Sequence, residues 1–208
     1  MNGRRSLVLG IVGLIVLLAA GVFGFRYWSD HQTYVTTDNA QVKGKPIAIS
    51  APVTGRLAEW TARTGETYDA GEVIGKVEAV PIVMPKKATI VSVSAVPGTF
   101  VAPGVPLAEA FDLDQLWVEA MVKETDLQAI KVGQDVEVTI DAYPDTLLSG
   151  RVEEIGLYTA DTFSLLPSAN TTGNYTKVAK VVPVKIVLDG GQGLRLIPGL
   201  SATVRIHR

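Results

Sequence analysis

The sequence has 208 residues, a formal net charge of −2, two histidines and no cysteine. This length allows one or two domains with a modest core. The lack of cysteine excludes a disulfide framework, a zinc–thiolate site and a cysteine nucleophile, and two histidines do not favour a histidine-rich metal site or a His-based triad. The small net charge argues against nucleic acid as the main partner.

The N-terminal segment is predicted to be a membrane anchor. Leu7 to Phe25 is an uncharged run of 19 residues, close to the ~20 residues that cross a bilayer as a helix. Arg4 and Arg5 precede this run, and Tyr27-Trp28 follow it. Basic residues before a span favour a cytoplasmic N-terminus, and an aromatic pair suits the far interface.

A cleaved signal peptide is the alternative for this segment. The run is long for a signal peptide, however, and Leu18-Ala19-Ala20 is a mediocre cleavage site. We therefore predict a single-pass protein of the cell membrane, with residues 1–28 as the anchor and residues 27–208 outside the cytoplasm.

Residues 29–46 are predicted to form a polar linker followed by a first strand. They contain the sequence Thr37, Asp38, Asn39, Ala40. Taken alone, Asp38-Asn39 indicates only a turn, because both side chains can hydrogen-bond to the nearby backbone.

Residues 47–112 contain one motif written twice, at an offset of 33 residues. Thr64-Gly65 corresponds to Pro97-Gly98, and Ala70-Gly71 corresponds to Pro103-Gly104. Proline and glycine at the same offsets predict the same backbone turns. We predict two interlocking halves of one small β domain, residues 47–80 and 81–112, each made of short strands separated by glycine turns.

The first half ends in Gly71-Glu72-Val73-Ile74-Gly75-Lys76-Val77-Glu78 and resembles the lipoyl/biotinyl carrier domain, a flattened barrel of two such halves. In that family the modified lysine lies three residues after the glutamate. Here that position is Pro81. The resemblance therefore implies a lipoyl-like barrel-sandwich hybrid used as a scaffold, with no lipoyl or biotin cofactor.

Residues 113–208 are predicted to form a small antiparallel β-barrel with one short helix. A strand with alternating polarity begins at Leu116, and Lys123 to Ile130 is typical of a short helix with acidic residues near its start. Four further strands are predicted at Gln134–Ile140, Leu148–Leu157, Val178–Leu188 and Leu200–Ile206.

The order of these parts resembles the membrane fusion protein or periplasmic adaptor family of the HlyD/EmrA type. The anchor is followed by Thr37-Asp38-Asn39-Ala40, the repeated domain, Leu116-Trp117-Val118 and Pro198-Gly199-Leu200. The resemblance implies a mainly β protein that acts as the adaptor subunit of an efflux or secretion system, with multidrug export favoured. It implies no catalytic residue, no metal and no cofactor, so the protein is predicted not to be an enzyme.

A loop between the barrel strands carries the most specific part of this resemblance. Its Ser-x-x-Pro and Asn-x-x-Gly-Asn stretches resemble the EmrA-like branch, whose members work with major-facilitator exporters. The implied partner is a membrane transporter of the major facilitator type, with an ABC transporter second, and a homo-oligomer is a further possibility. The candidate contact residues are Phe163, Leu165, Pro167, Asn170, Gly173, Asn174 and Tyr175.

Most members of the family insert a long coiled-coil hairpin between the lipoyl-like halves. Here Glu78 to Ile82 is the whole connection, which is the length of a hairpin loop. The chain therefore cannot bridge to a distant channel by itself. Either the protein comes from a cell with one membrane, which we favour, or the hairpin has been removed by engineering.

Other conspicuous side chains have ordinary structural interpretations. Trp60 and Trp117 are expected in a core or between domains rather than on a drug. Glu119, Glu124 and Asp126 are expected on solvated faces rather than as an acid–base pair. The alternative functions are an orphan membrane-tethered binding module outside the cytoplasm and, less favoured, a lipoyl or biotin carrier.

Overall fold

Strands dominate this computed structural model, which describes residues 33–162, 179–190 and 193–208 together with the isolated positions Leu14, Leu18 and Gly21. The strands are β1 (Tyr34–Lys43), β2 (Pro46–Ser50), β3 (Gly55–Trp60), β4 (Thr67–Tyr68), β5 (Val73–Val77), β6 (Val80–Val83), β7 (Ala88–Val93), β8 (Phe100–Val101), β9 (Pro106–Phe111), β10 (Trp117–Lys123), β11 (Asp135–Ile140), β12 (Leu147–Ile155), β13 (Val181–Leu188) and β14 (Ser201–His207). The predicted mainly β class is confirmed.

Two predicted segments fall outside the described residues. These are the span Leu7–Phe25, apart from its three isolated positions, and the loop at residues 163–178. Within the part of the chain that is described, no helix combines the length and the apolar character needed to cross a bilayer.

Six antiparallel strands form a closed barrel in the order β1-β10-β13-β12-β11-β14. Strand β10 shows why these sequences form a barrel, because every second residue is buried and the residues between them are half-buried or, at Lys123, exposed. Val118, Ala120 and Val122 point inward and join one core of aliphatic side chains. The predicted small antiparallel barrel is therefore confirmed, and closure leaves it no unpaired edge.

The first strand of the chain belongs to this barrel. Strand β1 pairs with β10 through Ala40 and Ala120, and with β14 through Val35 and Ile206. The barrel is thus completed by a segment that precedes the repeated domain, although the sequence suggested only a linker and a strand at residues 29–46.

The repeated domain folds as two four-stranded sheets, which we call the sandwich. The sheets have the orders β2-β9-β7-β4 and β6-β5-β3-β8. The 33-residue offset carries β2–β5 onto β6–β9, so each sheet contains strands from both halves and the two orders are equivalent. The inward-facing residues of both sheets form one core, which includes Leu57 and Ile74 with their equivalents Ile90 and Leu107.

The turns of the two halves are also equivalent. Gly65 and Gly98 have φ of 89° and 88°, values that glycine adopts at no steric cost. The Gly65 N–H donates to the carbonyl of Ile90 at 2.8 Å, and the Gly98 N–H donates to the carbonyl of Leu57 at 2.7 Å. The sequence repeat is thus a structural repeat down to single hydrogen bonds.

The helical segments differ from the prediction in type and number. The predicted helix at Lys123 to Ile130 is a 3-10 helix over Glu124–Ala129. A second 3-10 helix at Leu113–Gln115 joins the sandwich to the barrel, and the Asp112 side chain accepts a hydrogen bond from the N–H of Asp114 at 3.2 Å. Both segments are too short for an α-helix to gain from cooperative hydrogen bonding.

The turn between β5 and β6 contains a strained residue and yields a first prediction. Glu78 has φ of 53°, the one non-glycine residue with positive φ in the described part of the chain. A two-residue hairpin turn with positive φ at the first central position alone is a type II′ turn, which favours glycine at that position. We expect Glu78→Gly to raise the free energy of unfolding by about 1 kcal/mol, measured by equilibrium urea unfolding of the detergent-solubilised chain. Ala79→Gly is the control and should lower the free energy of unfolding. A lower free energy of unfolding in Glu78→Gly would show that the backbone of Glu78 is not strained.

Candidate functional site

In the carrier family the modified lysine lies on a hairpin, which corresponds here to the β5–β6 hairpin at the end of the sandwich away from the barrel. Pro81 occupies the position of that lysine, in β6 and opposite Lys76 of β5. Lys76 forms an ion pair with Glu59, with 3.0 Å between Nζ and Oε2. This hairpin therefore presents no free lysine at the place where a lipoyl or biotin group would be attached.

The motif Thr37-Asp38-Asn39-Ala40 forms a β-bulge in β1. Thr37 lies opposite Val204 and Ala40 lies opposite Ala202, so β1 contains one extra residue against β14. The Thr37 hydroxyl donates to the carbonyl of Met121 at 2.9 Å and accepts from the N–H of Asn39 at 3.2 Å.

The turn suggested by Asp38-Asn39 alone is therefore wrong. The strand continues through both residues, because neighbouring strands pair with β1 on either side of them. Both side chains are exposed while Val35, Ala40 and Val42 stay buried. The bulge resets the alternation so that apolar residues face the core before and after it.

Trp60 and Trp117 occupy different surroundings. Trp60 packs against the sandwich core, and its Nε1–H donates to the carbonyl of Ala62 at 3.0 Å. Trp117 lies half-buried at the end of the barrel nearest the sandwich, and the Lys185 ammonium lies 5.0 Å from its ring centroid.

The candidate carboxylates are not assembled into an acid–base pair. Glu119 lies opposite Lys185 across β10 and β13. Glu124 and Asp126 lie in the 3-10 helix that follows β10, and Asp126 is 4.0 Å from the guanidinium of Arg208. In the described ranges no three histidine, aspartate or glutamate side chains come together as metal ligands.

The structure contains a groove at the junction of barrel and sandwich that the sequence did not predict. Its volume is about 490 Å³. Lys86 and Asp112 form an ion pair at 3.5 Å, and Lys185 and Glu153 form one at 2.6 Å. Its lining residues are Lys45, Lys86, Asp112, Asp114, Gln115, Leu116, Trp117, Glu153, Lys185, Val187 and Leu188.

The groove is a mixed surface rather than a prepared ligand site. Its lysines and carboxylates largely neutralise each other, and such exposed pairs contribute at most about 1 kcal/mol each. No buried side-chain nitrogen or oxygen in the described part of the protein lacks a hydrogen-bond partner. A buried polar group left unpaired would have indicated a missing ligand. The local sequence signal was limited to Asp112 and Asp114, directly before Leu116-Trp117, because the other charged lining residues are distant along the chain.

The loop residues named as a candidate contact, Phe163, Leu165, Pro167, Asn170, Gly173, Asn174 and Tyr175, lie outside the described residues. Their role stays a prediction. The chain on either side of them is described, and Ala160 donates its N–H to the carbonyl of Val181 at 2.9 Å. Both ends of the loop thus lie at the end of the barrel where β1 begins.

Comparisons with known proteins agree with this architecture. The family model described as the YknX-like beta-barrel domain matches residues 116–206. The chain is 40% identical to YhbJ of Bacillus subtilis over 209 residues, covering 99% of this chain and 94% of that protein. It is 35% identical to the multidrug export protein EmrA of Escherichia coli over 134 residues, covering 62% of this chain and 34% of EmrA.

Solved structures of similar fold include the periplasmic adaptor protein EmrA, with a TM-score of 0.58 and 14% identity, covering 84% of this chain and 98% of that one. They also include ZneB of Cupriavidus metallidurans, with a TM-score of 0.60 and 16% identity over the same shares. The membrane fusion protein Spr0693 of Streptococcus pneumoniae has a TM-score of 0.57 and 14% identity, covering 83% of this chain and 98% of that one.

Proposed function

The chain belongs to the membrane fusion protein family of the HlyD/EmrA type, and we propose that it is the adaptor subunit of an efflux system. The proposal rests on the similarity to YhbJ, which extends along nearly the full length of both chains. The name of YhbJ describes an efflux system component. The relative EmrA is a multidrug export protein, which favours multidrug export as the process served. The chain spans only about a third of that relative.

In this proposal the chain is tethered by Leu7–Phe25 with its β domains outside the cytoplasm, on the outer face of a transporter. The two interlocked sheets of residues 47–112 act as a lipoyl-like scaffold, and residues 113–208 form the barrel together with β1. The partner is a transporter of the major facilitator type, with an ABC transporter second. No catalytic role is assigned to any residue.

The short connection between β5 and β6 limits what such an adaptor can reach. Glu78 and Ala79 are the only residues between the two strands, so no coiled-coil hairpin leaves the sandwich there. The match to a relative of nearly the same length supports a natural origin of this short connection. We therefore propose an adaptor that works at one membrane and does not itself reach a distant channel.

A pull-down tests the proposal. The full-length protein is captured in mild detergent from its native membrane, and accompanying proteins are identified by mass spectrometry. We expect a multi-helix exporter in near-stoichiometric amount. Capture of the chain without any transporter would contradict the proposal and favour an orphan tethered module, and an added mass on a lysine would favour the carrier.

The candidate loop is tested in the same experiment. A variant with Phe163, Leu165 and Tyr175 replaced by serine should remain in the membrane and lose the transporter, because loops on a rigid barrel commonly carry recognition. The control replaces Val91 and Val132, two exposed apolar residues elsewhere, by serine and should keep it. Equal recovery of the transporter from both variants would remove the loop from the interface.

A further inference from the structure

Two turns of the barrel carry exposed apolar side chains. One turn, residues 131–134, leads into β11, and the other, residues 156–160, follows β12. Val132 in the first turn is 64% exposed, and Leu157 in the second is 100% exposed. We call these two turns the apolar tips.

Both apolar tips lie at the end of the barrel where β1 begins. Strand β14 ends there, since His207 lies opposite Tyr34, and β11 begins beside it, since Val136 lies opposite Ile206. Strand β12 runs antiparallel to β11 and therefore ends at the same place. The apolar tips are thus neighbours of the point where the predicted anchor leads into the barrel.

The backbone of the second tip is fixed on both sides. The N–H of Gly156 donates to the carbonyl of Pro183 at 2.8 Å, and the N–H of Ala160 donates to the carbonyl of Val181 at 2.9 Å. A Cβ atom at Gly156 would lie 2.9 Å from the carbonyl oxygen of Pro183, so a glycine lets the chain pass close to β13. Between these two contacts the chain turns outward and places Leu157 in solvent.

The first tip is an equally well-defined turn. Gly133 has φ of 90°, which glycine adopts at no steric cost. The N–H of Lys131 donates to Oε1 of Gln134 at 2.7 Å, and Nε2 of Gln134 donates to the carbonyl of Ala129 at 3.0 Å. Turns favour glycine, proline, asparagine, aspartate and serine. The geometry of this turn therefore does not explain the choice of a valine at Val132.

The residues around the tips have the composition of a membrane interface. Tyr158, next to the exposed leucine, is 44% exposed, and tyrosine is enriched at the level of lipid headgroups. Lys131 directly precedes Val132, and Lys180 forms an ion pair at 3.5 Å with Asp161, just after the second tip. Lysine can lay its aliphatic stem along an apolar surface while its ammonium stays in water. A single exposed apolar residue would need no explanation, but these share one end of the barrel.

The predicted anchor holds this end of the barrel near the bilayer. The N–H of Arg208 donates to the carbonyl of Thr33 at 3.0 Å, so the barrel end includes Thr33. Residues 29–33 connect it to Trp28, which is predicted to lie at the membrane interface. A fully extended chain of that length spans at most about 18 Å. The bilayer surface is therefore the apolar medium within reach of the tips.

We propose that the apolar tips insert into the interfacial region of the bilayer, with Val132 and Leu157 as the inserted side chains. The inference rests on the membrane anchoring in the proposed function. The anchor alone attaches the barrel at one point, which leaves its orientation open. Two tips on neighbouring strands add two further points, and three points fix the barrel end against the membrane plane. The sandwich is then held away from the lipid, at the opposite end of the barrel.

The contact should depend on apolar insertion more than on lipid charge. Acidic side chains also lie at this end of the barrel, among them Asp126, Glu154 and Asp161, so the end as a whole is not a basic patch. Burial of a large apolar side chain is favourable whatever the headgroup. We therefore expect the tips to insert into zwitterionic phosphatidylcholine as well as into anionic phosphatidylglycerol.

Fluorescence in lipid vesicles tests the proposal, because the chain contains no cysteine. Single-cysteine variants of the full chain, Val132→Cys and Leu157→Cys, are labelled with an environment-sensitive fluorophore. They are reconstituted without other proteins into phosphatidylcholine vesicles that contain a lipid with a nitroxide near the top of its acyl chain. Both labels should shift their emission to the blue and be quenched. The matched controls are Val96→Cys, an exposed valine of the sandwich, and Ser149→Cys, an exposed residue of β12, and neither label should respond.

A second substitution separates insertion from mere nearness to the bilayer. Leu157→Asp in the labelled Val132→Cys chain should lower the ratio of inserted to free tips about tenfold, which corresponds to about 1.4 kcal/mol. Ser149→Asp should leave this ratio unchanged. Since the side chains of Leu157 and Ser149 are exposed, neither replacement disturbs the barrel core.

Three results would overturn the proposal. The first is quenching at Leu157→Cys no stronger than at Val96→Cys, and the second is an unchanged Val132→Cys signal in the Leu157→Asp chain. The third is a blue shift that occurs in native membranes but not in the pure lipid vesicles, which would assign the tips to a protein partner. A failed transporter pull-down beside strong quenching at both tips would refute the proposed function alone.

Discussion

Replacing Gly150 by valine is expected to unfold the barrel at temperatures where the unaltered protein is folded. Gly150 is buried in β12 and lies opposite Leu188 of β13. A Cβ atom at this position would lie 2.5 Å from the carbonyl oxygen of Val187 and 3.2 Å from Cγ2 of Ile186. The closer atom belongs to the backbone of a paired strand, so it cannot move without breaking the ladder. We expect a loss of about 3–5 kcal/mol, measured by urea unfolding of the detergent-solubilised chain.

The control for this prediction is Ser149→Val on the same strand. Ser149 is exposed, and a β-branched residue suits a strand surface, so its free energy of unfolding should change by no more than about 0.5 kcal/mol. Gly150→Ala should already cost a large part of the valine effect, because the Cβ alone makes the contact. A Gly150→Val protein as stable as Ser149→Val would show that β12 and β13 can separate locally without loss of the barrel.

The sandwich could be predicted from the sequence because its turns depend on residues with narrow backbone preferences. Gly71 and Gly104 have φ of 82° and 86°, and their equivalence was visible in the 33-residue offset. The two halves differ at the first residue of the equivalent strands β3 and β7. Ala88 replaces Gly55, where a Cβ would lie 2.9 Å from Cγ1 of Val77. The position equivalent to Val77 is Ala110, whose smaller side chain leaves room for the alanine.

The barrel was only partly predictable, since its closure depends on contacts between distant parts of the chain. Strand β1 pairs with strands that begin more than 70 residues later, and no local pattern encodes such a pairing. The bulge at Asp38-Asn39 hid the strand further, because it interrupts the alternation used to recognise one. A second bulge in β12 leaves Glu153 and Glu154 both exposed, although adjacent residues of a regular strand face opposite sides of the sheet.

The sequence predicted which groups the candidate site lacks better than which groups it contains. The missing lysine at Pro81 was evident from the sequence. The junction groove was not, because Lys45, Lys86 and Lys185 come together only when barrel and sandwich pack. The exposure of Phe100 could be recognised only from the sequence and the structure together. The sequence shows a stretch without charge, and only the structure shows that Phe100 in that stretch is exposed rather than in the core.

Replacing all of β1 by a flexible segment of the same length is expected to unfold the barrel and leave the sandwich folded. The change substitutes ten glycine and serine residues for Tyr34–Lys43. It removes the buried side chains of Val35, Ala40 and Val42 and the hydrogen bonds to both neighbouring strands. The two valines alone contribute about 1.5–3 kcal/mol each. With both ladders the loss approaches the roughly 5–15 kcal/mol that stabilises a typical domain.

Hydrogen–deuterium exchange read by mass spectrometry separates the two units in one experiment. Amides of β10–β14 should exchange rapidly in the replaced chain, while those of β3, β5, β7 and β9 keep their protection, because the sandwich has a core of its own. A control in which only the outward-facing Thr36, Asp38 and Gln41 become serine should keep protection everywhere. Loss of protection in the sandwich as well would show that the two cores fold as one unit. Retained protection in β10 and β14 would show that five strands can hold the barrel without the first.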